Sequence, residues 1–275
     1  MEANNRYIIS DEELLEIQKI HRELISEVDR ICRKCNIKYN MVGGTMLGAI
    51  RHNGPIPWDD DADIGFLRNE YEKFREACKT ELNKDKYYIQ DFRDTDGYRW
   101  GYGKLRKRGT EFVRLQQEFM PYEQGVFIDL MPFDSVPDNL VLRKFHFNKC
   151  FIYRKMLWSK VGAQVEKNAI KRTIYKLMSL VPEKRLKKSF EKFIEKGRND
   201  NTDLVRILTF PTPRKCYGYK RIWYIDLKRY PFAELMLPGA IDYDSYLKVK
   251  YGNYMSLPPE EKRKVHPISR LNLGK

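Results

Sequence analysis

The sequence predicts an α/β fold, a mixed sheet flanked by helices. Three observations carry that reading. The stretch 10–35 repeats Leu14, Ile17, Ile20, Leu24, Val28 and Ile31 at helical spacing. Short apolar runs at 37–42, 64–66 and 125–131 have the length and composition of buried strands. Gly43 and Gly44 join the first of these runs to a short helical pattern at 45–50, a strand–turn–helix unit.

The elements follow in order. Ser10 and Glu13 form the S-x-x-E pattern of a capping box, which starts the first helix. Thr45, just past the glycines, is expected near the cap of the second. Unpaired N–H groups converge at such a helix start, so Gly43, Gly44 and Thr45 make a candidate phosphate cradle. About fifteen residues on, Asp59, Asp60, Asp61 and Asp63 fall within five positions. Side chains alternate along a strand, so Asp61 and Asp63 share a face, which Asp59 can join, and Asp60 looks the other way. Carboxylates about 4 Å apart repel by roughly 4 kcal/mol at an effective dielectric of 20. A hard divalent cation, Mg²⁺ or Mn²⁺, is the expected counter-charge. The apolar flanks, Ile56-Pro57-Trp58 and Ile64-Gly65-Phe66, set the cluster where a loop meets a buried strand and not at a free loop tip.

A third helix is expected at 69–82, with Tyr71, Phe74, Ala77 and Cys78 inward, and a strand at 87–89. Turn signals at Asp96-Gly97 and Arg108-Gly109 suggest a hairpin, in which Lys104 and Arg106 face one side. A solvated basic strand is equally consistent with that charge pattern. The apolar run 125–131 is interrupted once, by Asp129. A carboxylate inside such a strand is costly unless paired or metal-bound, so Asp129 is the candidate third ligand beside Asp61 and Asp63. Asp134, after Pro132, reads as the start of a loop or as a residue that orients a substrate hydroxyl. Residues 143–198 hold 17 Lys and Arg against 4 Glu, nearly all of the chain's excess charge. This is helical material, broken near Pro182. It reads either as a membrane-surface element or as a subdomain with a solvated basic face. Residues 204–210 read as a strand, 217–230 as a strand pair with a basic outer face or as aromatics that stack on a base or sugar, 244–251 as a helix and 258–261 as a turn or last helix. The expected organisation is a catalytic core at 1–139, a basic helical segment at 140–200, and a part at 201–275 that completes the first domain.

The formal net charge of +14 at 275 residues points to anionic partners: nucleic acid, an anionic membrane face or anionic substrates. No nucleic-acid motif is recognisable, so no nucleic acid is expected. Five scattered cysteines suggest no disulfide framework and fit a reducing cytoplasm. Cys32-x-x-Cys35 stands alone and reads as helix packing, not zinc. The opening MEANNRYIIS has no apolar run of a signal peptide, and no stretch is apolar enough to span a bilayer.

Three segments resemble one family. GGTMLGAIRHNGPIPWDDDADIGF at 43–66, GVFIDLMPFD at 125–134 and YGNYMSLPPEEKRKVHP at 251–267 are similar to the LicD family, whose relatives include the fukutin-type transferases. The resemblance implies a nucleotidyltransferase-like α/β fold. It implies transfer of a phosphorylated alcohol from CDP-choline or another CDP-alcohol to a sugar hydroxyl of a surface glycan, teichoic acid or lipid-linked oligosaccharide, with CMP released. Asp61, Asp63 and Asp129 would then hold the metal, and Asp129 or Asp59 would act as base. Arg51 and Lys104, with Arg106 on the same strand face, would bind the phosphates. His266 would be a neighbour of the site, and the basic helices would meet the inner face of a membrane from the cytoplasm. The alternatives are a nucleotidyltransferase that releases pyrophosphate from an NTP, and a non-enzymatic basic binding module.

Overall fold

A computed structural model describes residues 6–198, 200–212, 216–263 and 265–274. The opening pentapeptide and Lys264 of the third motif lie outside these residues. In chain order the elements are α1 (Asp11–Lys34), β1 (Asn40–Met41), α2 (Gly43–His52), β2 (Asp63–Leu67), α3 (Arg68–Glu81), β3 (Tyr87–Gln90), β4 (Gly103–Lys107), β5 (Glu111–Arg114) and β6 (Phe127–Val136). Then come α4 (Leu140–Val165), α5 (Ala169–Ser179), α6 (Glu183–Gly197), β7 (Leu204–Arg206), β8 (Tyr219–Lys220), β9 (Leu227–Phe232), β10 (Leu235–Ala240), α7 (Tyr243–Tyr251) and β11 (Ile268–Asn272). The α/β class holds.

The Ser10 side chain accepts from the Glu13 N–H, and the Glu13 carboxylate accepts from the Ser10 N–H. The apolar stripe of α1, from Ile17 to Ile31, is buried in the main core. That core also takes in Cys32 and Cys78, while Cys35 is exposed; among the described residues every cysteine is a free thiol. The main sheet runs β1-β2-β6-β4-β3, with β7 and β8 continuing from the far half of β6. β2 and β6 are parallel, and β4 is antiparallel to β6. Asp63 therefore pairs in register with Asp129, and Asp129 with Lys104. Three candidate site residues thus stand in one row across three neighbouring strands.

Several expectations change. The first strand is two residues, not six, and α2 begins at Gly43 with Val42 as its cap; Thr45 sits inside the first turn. The Thr45 hydroxyl accepts from the Asp63 N–H at 2.7 Å, so it fixes the next strand and does not cap its own helix. The hairpin around Arg108-Gly109 does not form, because β4 pairs with β3 and β6 while β5 pairs with β11. β6 continues through Pro132, which puts Asp134 inside a strand and not in a loop. β4 ends opposite Leu130, so Pro132 breaks no ladder on that side. Asp134 is buried and takes two 2.7 Å bonds from the Arg68 guanidinium, the bidentate form in which a buried ion pair is best compensated. The strand expected at 204–210 keeps only three residues.

The basic segment is helical as expected, and Pro182 caps α6. α4 and α6 build a second core from Tyr153, Leu157, Leu186, Phe190 and Phe193, with Phe92 and Tyr98 joining from the loop after β3. Residues 201–275 return to the main core through Val205, Tyr219, Trp223, Phe232, Leu237 and Leu247. The strand pair expected at 217–230 does not form there: that stretch holds the two-residue β8, a helical turn at Arg221–Tyr224 and the start of β9, and the hairpin lies later, between β9 and β10. Among the described residues no helix is long and apolar enough to cross a membrane.

Candidate active site

The start of α2 lies against the aspartates. Gly43 has φ +59°, and a Cβ there would stand 2.6 Å from Asp63 Oδ2 and 3.2 Å from Lys250 Nζ. A Cβ on Gly44 would stand 2.8 Å from Asp59 Oδ2. Glycine is required because two carboxylates press on the backbone of a helix start, where the helix dipole favours negative charge. The Gln18 amide of α1 donates to the carbonyls of Ile56 and Asp59, at 3.0 and 2.9 Å, and holds the loop in place.

β2 begins at Asp63, so Asp59, Asp60 and Asp61 lie in the loop before it and strand alternation does not order them. Asp60 is buried and accepts from the His266 N–H, while its Oδ1 is 2.8 Å from His266 Nδ1. Burial alone would raise its pKa, but the bond to His266 brings it below the usual carboxylate value. His266 Nε2 also lies 3.9 Å from Asp61 Oδ2, so this histidine is a neighbour of the site. Burial and the charges of Asp61, Asp60 and Asp63 push Asp59 up to about 9. Burial and the charges of Asp61 and Asp129 hold Asp63 well above its ordinary value, against the pull of Lys250 and Lys104. The cluster carries more negative charge than the nearby cations compensate.

Asp129 differs in being already paired. Lys104 Nζ bonds its Oδ1 and lies 3.4 Å from the centre of the Phe127 ring. Burial lowers the Lys104 pKa to about 8, against the pull of Asp129. Lys104 is thus committed to a carboxylate, where a phosphate contact was expected. Arg106 shares its strand face and lines the same cavity, but donates to Gln90 Oε1 and the Gly125 carbonyl at 2.8 and 2.6 Å. Arg51 donates to the Tyr254 carbonyl at 2.7 Å and stacks on Trp58, so it ties down the C-terminal loop. The Gly43 N–H goes to the Tyr246 hydroxyl at 2.8 Å, which leaves Gly44 and Thr45 as the first-turn donors of the cradle.

Among the described residues no three His, Cys, Asp or Glu side chains already surround a common point as a metal cage. Asp129 faces Lys104, and Asp59 shares a hydrogen bond with Asp61. The donor set nevertheless fits a hard dication: it is all carboxylate oxygen, and burial together with the neighbouring carboxylates is what raises Asp59 and Asp63.

Sequence reasoning missed Tyr246 and Lys250. They stand four residues apart on α7, so one helix face brings both to Gly43. Only that spacing could have marked them in a chain with 18 tyrosines. It also missed the cavity of about 200 Å³ beside Asp129, walled by Tyr98, Tyr102, Phe112, Tyr122 and Phe127, with Arg114 at its side.

A pH effect on stability follows from Asp59. The folded chain keeps its proton up to about pH 9, while the unfolded chain releases it near pH 4. The unfolded state then binds fewer protons, so stability falls as pH rises through that window. In EDTA the melting temperature should drop between pH 6 and 8.5. Asp59→Asn should reduce the drop and raise the pH 8.5 value by about 2–4 °C, roughly 1 kcal/mol once solvent screening is allowed for. An unchanged drop would contradict the assignment.

A helix start facing carboxylates at the head of one strand, with a further acid on the parallel neighbour, is an arrangement of the nucleotidyltransferase class. Residues 36–184 match the family model described as LicD/FKTN/FKRP, nucleotidyltransferase domain. The match covers more than half of the chain, and the chain belongs to this family. It is 26% identical over 269 residues to the lipopolysaccharide cholinephosphotransferase LicD of Haemophilus influenzae, covering 93% of this chain and 96% of that protein. Two uncharacterized proteins are also similar. The one from Rickettsia typhi is 39% identical over 26% of this chain and 22% of its own length. The one from Rickettsia prowazekii is 25% identical over 55% of this chain and 54% of its own length.

Proposed function

We propose that this chain transfers a phosphorylated alcohol, phosphocholine first among them, from a CDP-alcohol to a sugar hydroxyl of a cell-surface glycan such as a lipopolysaccharide. The observation that carries the reading is the row of Asp63, Asp129 and Lys104 across three strands, set against a glycine helix start with Asp59 and Asp61 alongside. The full-length likeness to a cholinephosphotransferase supports the choice of phosphocholine. The acceptor oxygen attacks the phosphorus that bears the alcohol. The bond from that phosphorus to the bridging oxygen breaks, and its electron pair leaves with CMP. The hydroxyl proton passes to a carboxylate, either Asp129 or an Asp59 that the bound cation would hold deprotonated. Asp61 and Asp63, with Asp129, would hold Mg²⁺ or Mn²⁺. When bound, that ion supplies positive charge to the diphosphate and the leaving group. The Gly44 and Thr45 N–H groups and the Lys250 ammonium face the same anion. The aromatic walls beside Asp129 suit a quaternary ammonium, and Arg114 suits the phosphate attached to it.

Contact with the inner face of a membrane belongs to the same proposal. Leu140, Phe145, Ile152, Ile170, Ile174 and Leu177 are exposed on α4 and α5, within the strongly basic segment. To test the transfer, purified protein is mixed with CDP-choline, Mg²⁺ and lipopolysaccharide. CMP should accumulate with phosphocholine on the glycan. Pyrophosphate from an NTP, with no CMP from CDP-choline, would overturn the proposal in favour of nucleotidyl transfer.

A further inference from the structure

A second set of cations, one buried and two half-buried, lines another cavity that shares Trp100 and Tyr102 with the one beside Asp129. Residues 99–102, α4 and residues 209–211 enclose a cavity of about 290 Å³. Arg99, Arg154 and Lys155 are its charged walls, and among the described residues no carboxylate lines it. Arg99 is only 4% exposed. Its Nη2 donates to the Met156 carbonyl at 3.1 Å, but its Nε and Nη1 are buried without a hydrogen-bond partner. The Thr209 hydroxyl on the same cavity is buried and unpartnered too. An adjoining cavity of about 140 Å³ shares Arg154 and Phe210 and is lined by Arg206, whose Nη1 is a further unpartnered donor.

Leaving a buried donor unsatisfied is expensive, and more so on a charged group. Two guanidinium groups left this way, with no acid among the lining residues, call for an anion with several acceptor oxygens. Phosphate matches the guanidinium fork. The other walls are Trp100, Trp158, Tyr102, Leu157 and Phe210, so the body attached to the anion is apolar or ring-shaped. We infer that this cavity is a second anion site, which takes a phosphate or diphosphate ester. Trp100 and Tyr102 line both this cavity and the one beside Asp129. Resting on the proposed transfer, the ester belongs to the acceptor, held here while its hydroxyl reaches past these two rings.

The test reads ester binding alone, with neither CDP-choline nor turnover. Tryptophan fluorescence of the full chain is titrated with inorganic pyrophosphate, glucose 1-phosphate and monomeric decyl phosphate. Saturable quenching by at least one of them is expected, weakened tenfold or more in Arg99→Gln and in Arg154→Gln. Arg154 is half-buried at the wall, so its variant keeps the test usable if loss of Arg99 unfolds the chain. Tighter binding of decyl phosphate would identify a lipid-borne ester, and tighter binding of glucose 1-phosphate a sugar-borne one; both support the site. No saturable binding by any probe, or equal affinity in Arg154→Gln, would overturn it. Failure of CMP release with intact ester binding would count against the proposed transfer alone.

Discussion

Asp63→Asn lowers CMP release from CDP-choline by at least about 10³-fold and leaves the melting temperature equal to or above that of the parent chain. The loss is large because Asp63 is the only one of the clustered aspartates that is also in register with Asp129, so it links the two strands of the site. Loss of one well-placed electrostatic group in a water-poor site costs about 10²–10³ in rate, and this group would also hold the cation. The fold tolerates the change for a stated reason. The Asp63 N–H that Thr45 holds belongs to the backbone and survives. The carboxylate itself is under repulsion from Asp61 and Asp129. Activity within tenfold of the parent would remove Asp63 from the chemistry. A fall in melting temperature would show that its carboxylate stabilises the fold.

Lys104→Met has the opposite signature: activity and stability fall together. Lys104 and Asp129 are 7% and 8% exposed, and the change leaves a buried carboxylate without its cation. Breaking such a pair from one side costs about 3–5 kcal/mol, which in a chain of this size is roughly 6–15 °C of melting temperature. Adding Asp129→Asn should return more than half of that loss without restoring transfer, because the unpaired charge is then gone. Thermal unfolding of the two single variants and the double variant checks the cycle. Additive losses would mean that the two side chains do not act as a pair.

The carboxylate cluster was legible because its four charges are local and sit between apolar flanks that fix the strand. The capping box and the break at Pro182 were legible for the same reason: each depends on residues a few positions apart. What failed was non-local. Turn residues at Arg108-Gly109 show that the chain turns, but not that β5 will pair with a strand more than 150 residues later. Nothing within residues 103–107 says that Lys104 will stand opposite Asp129, so its expected phosphate role was given to a cation already in use. Pro132 was taken as a strand end, although a proline is tolerated where the neighbouring strand has stopped. The Tyr246 hydroxyl took the Gly43 donor from more than 200 residues away. The charged half of the site could thus be read from the chain, while the partners that tune each charge depend on strand register and helix docking.

These aspartates are proposed to serve a diphosphate through a divalent cation. CDP-choline titrated calorimetrically into the purified protein, with Mg²⁺ and again in EDTA, is the decisive measurement. The account predicts binding at least tenfold tighter with Mg²⁺, and loss of that difference in Asp61→Asn and in Asp63→Asn. Equal affinity in EDTA, or a Mg²⁺ effect that survives both substitutions, would contradict it.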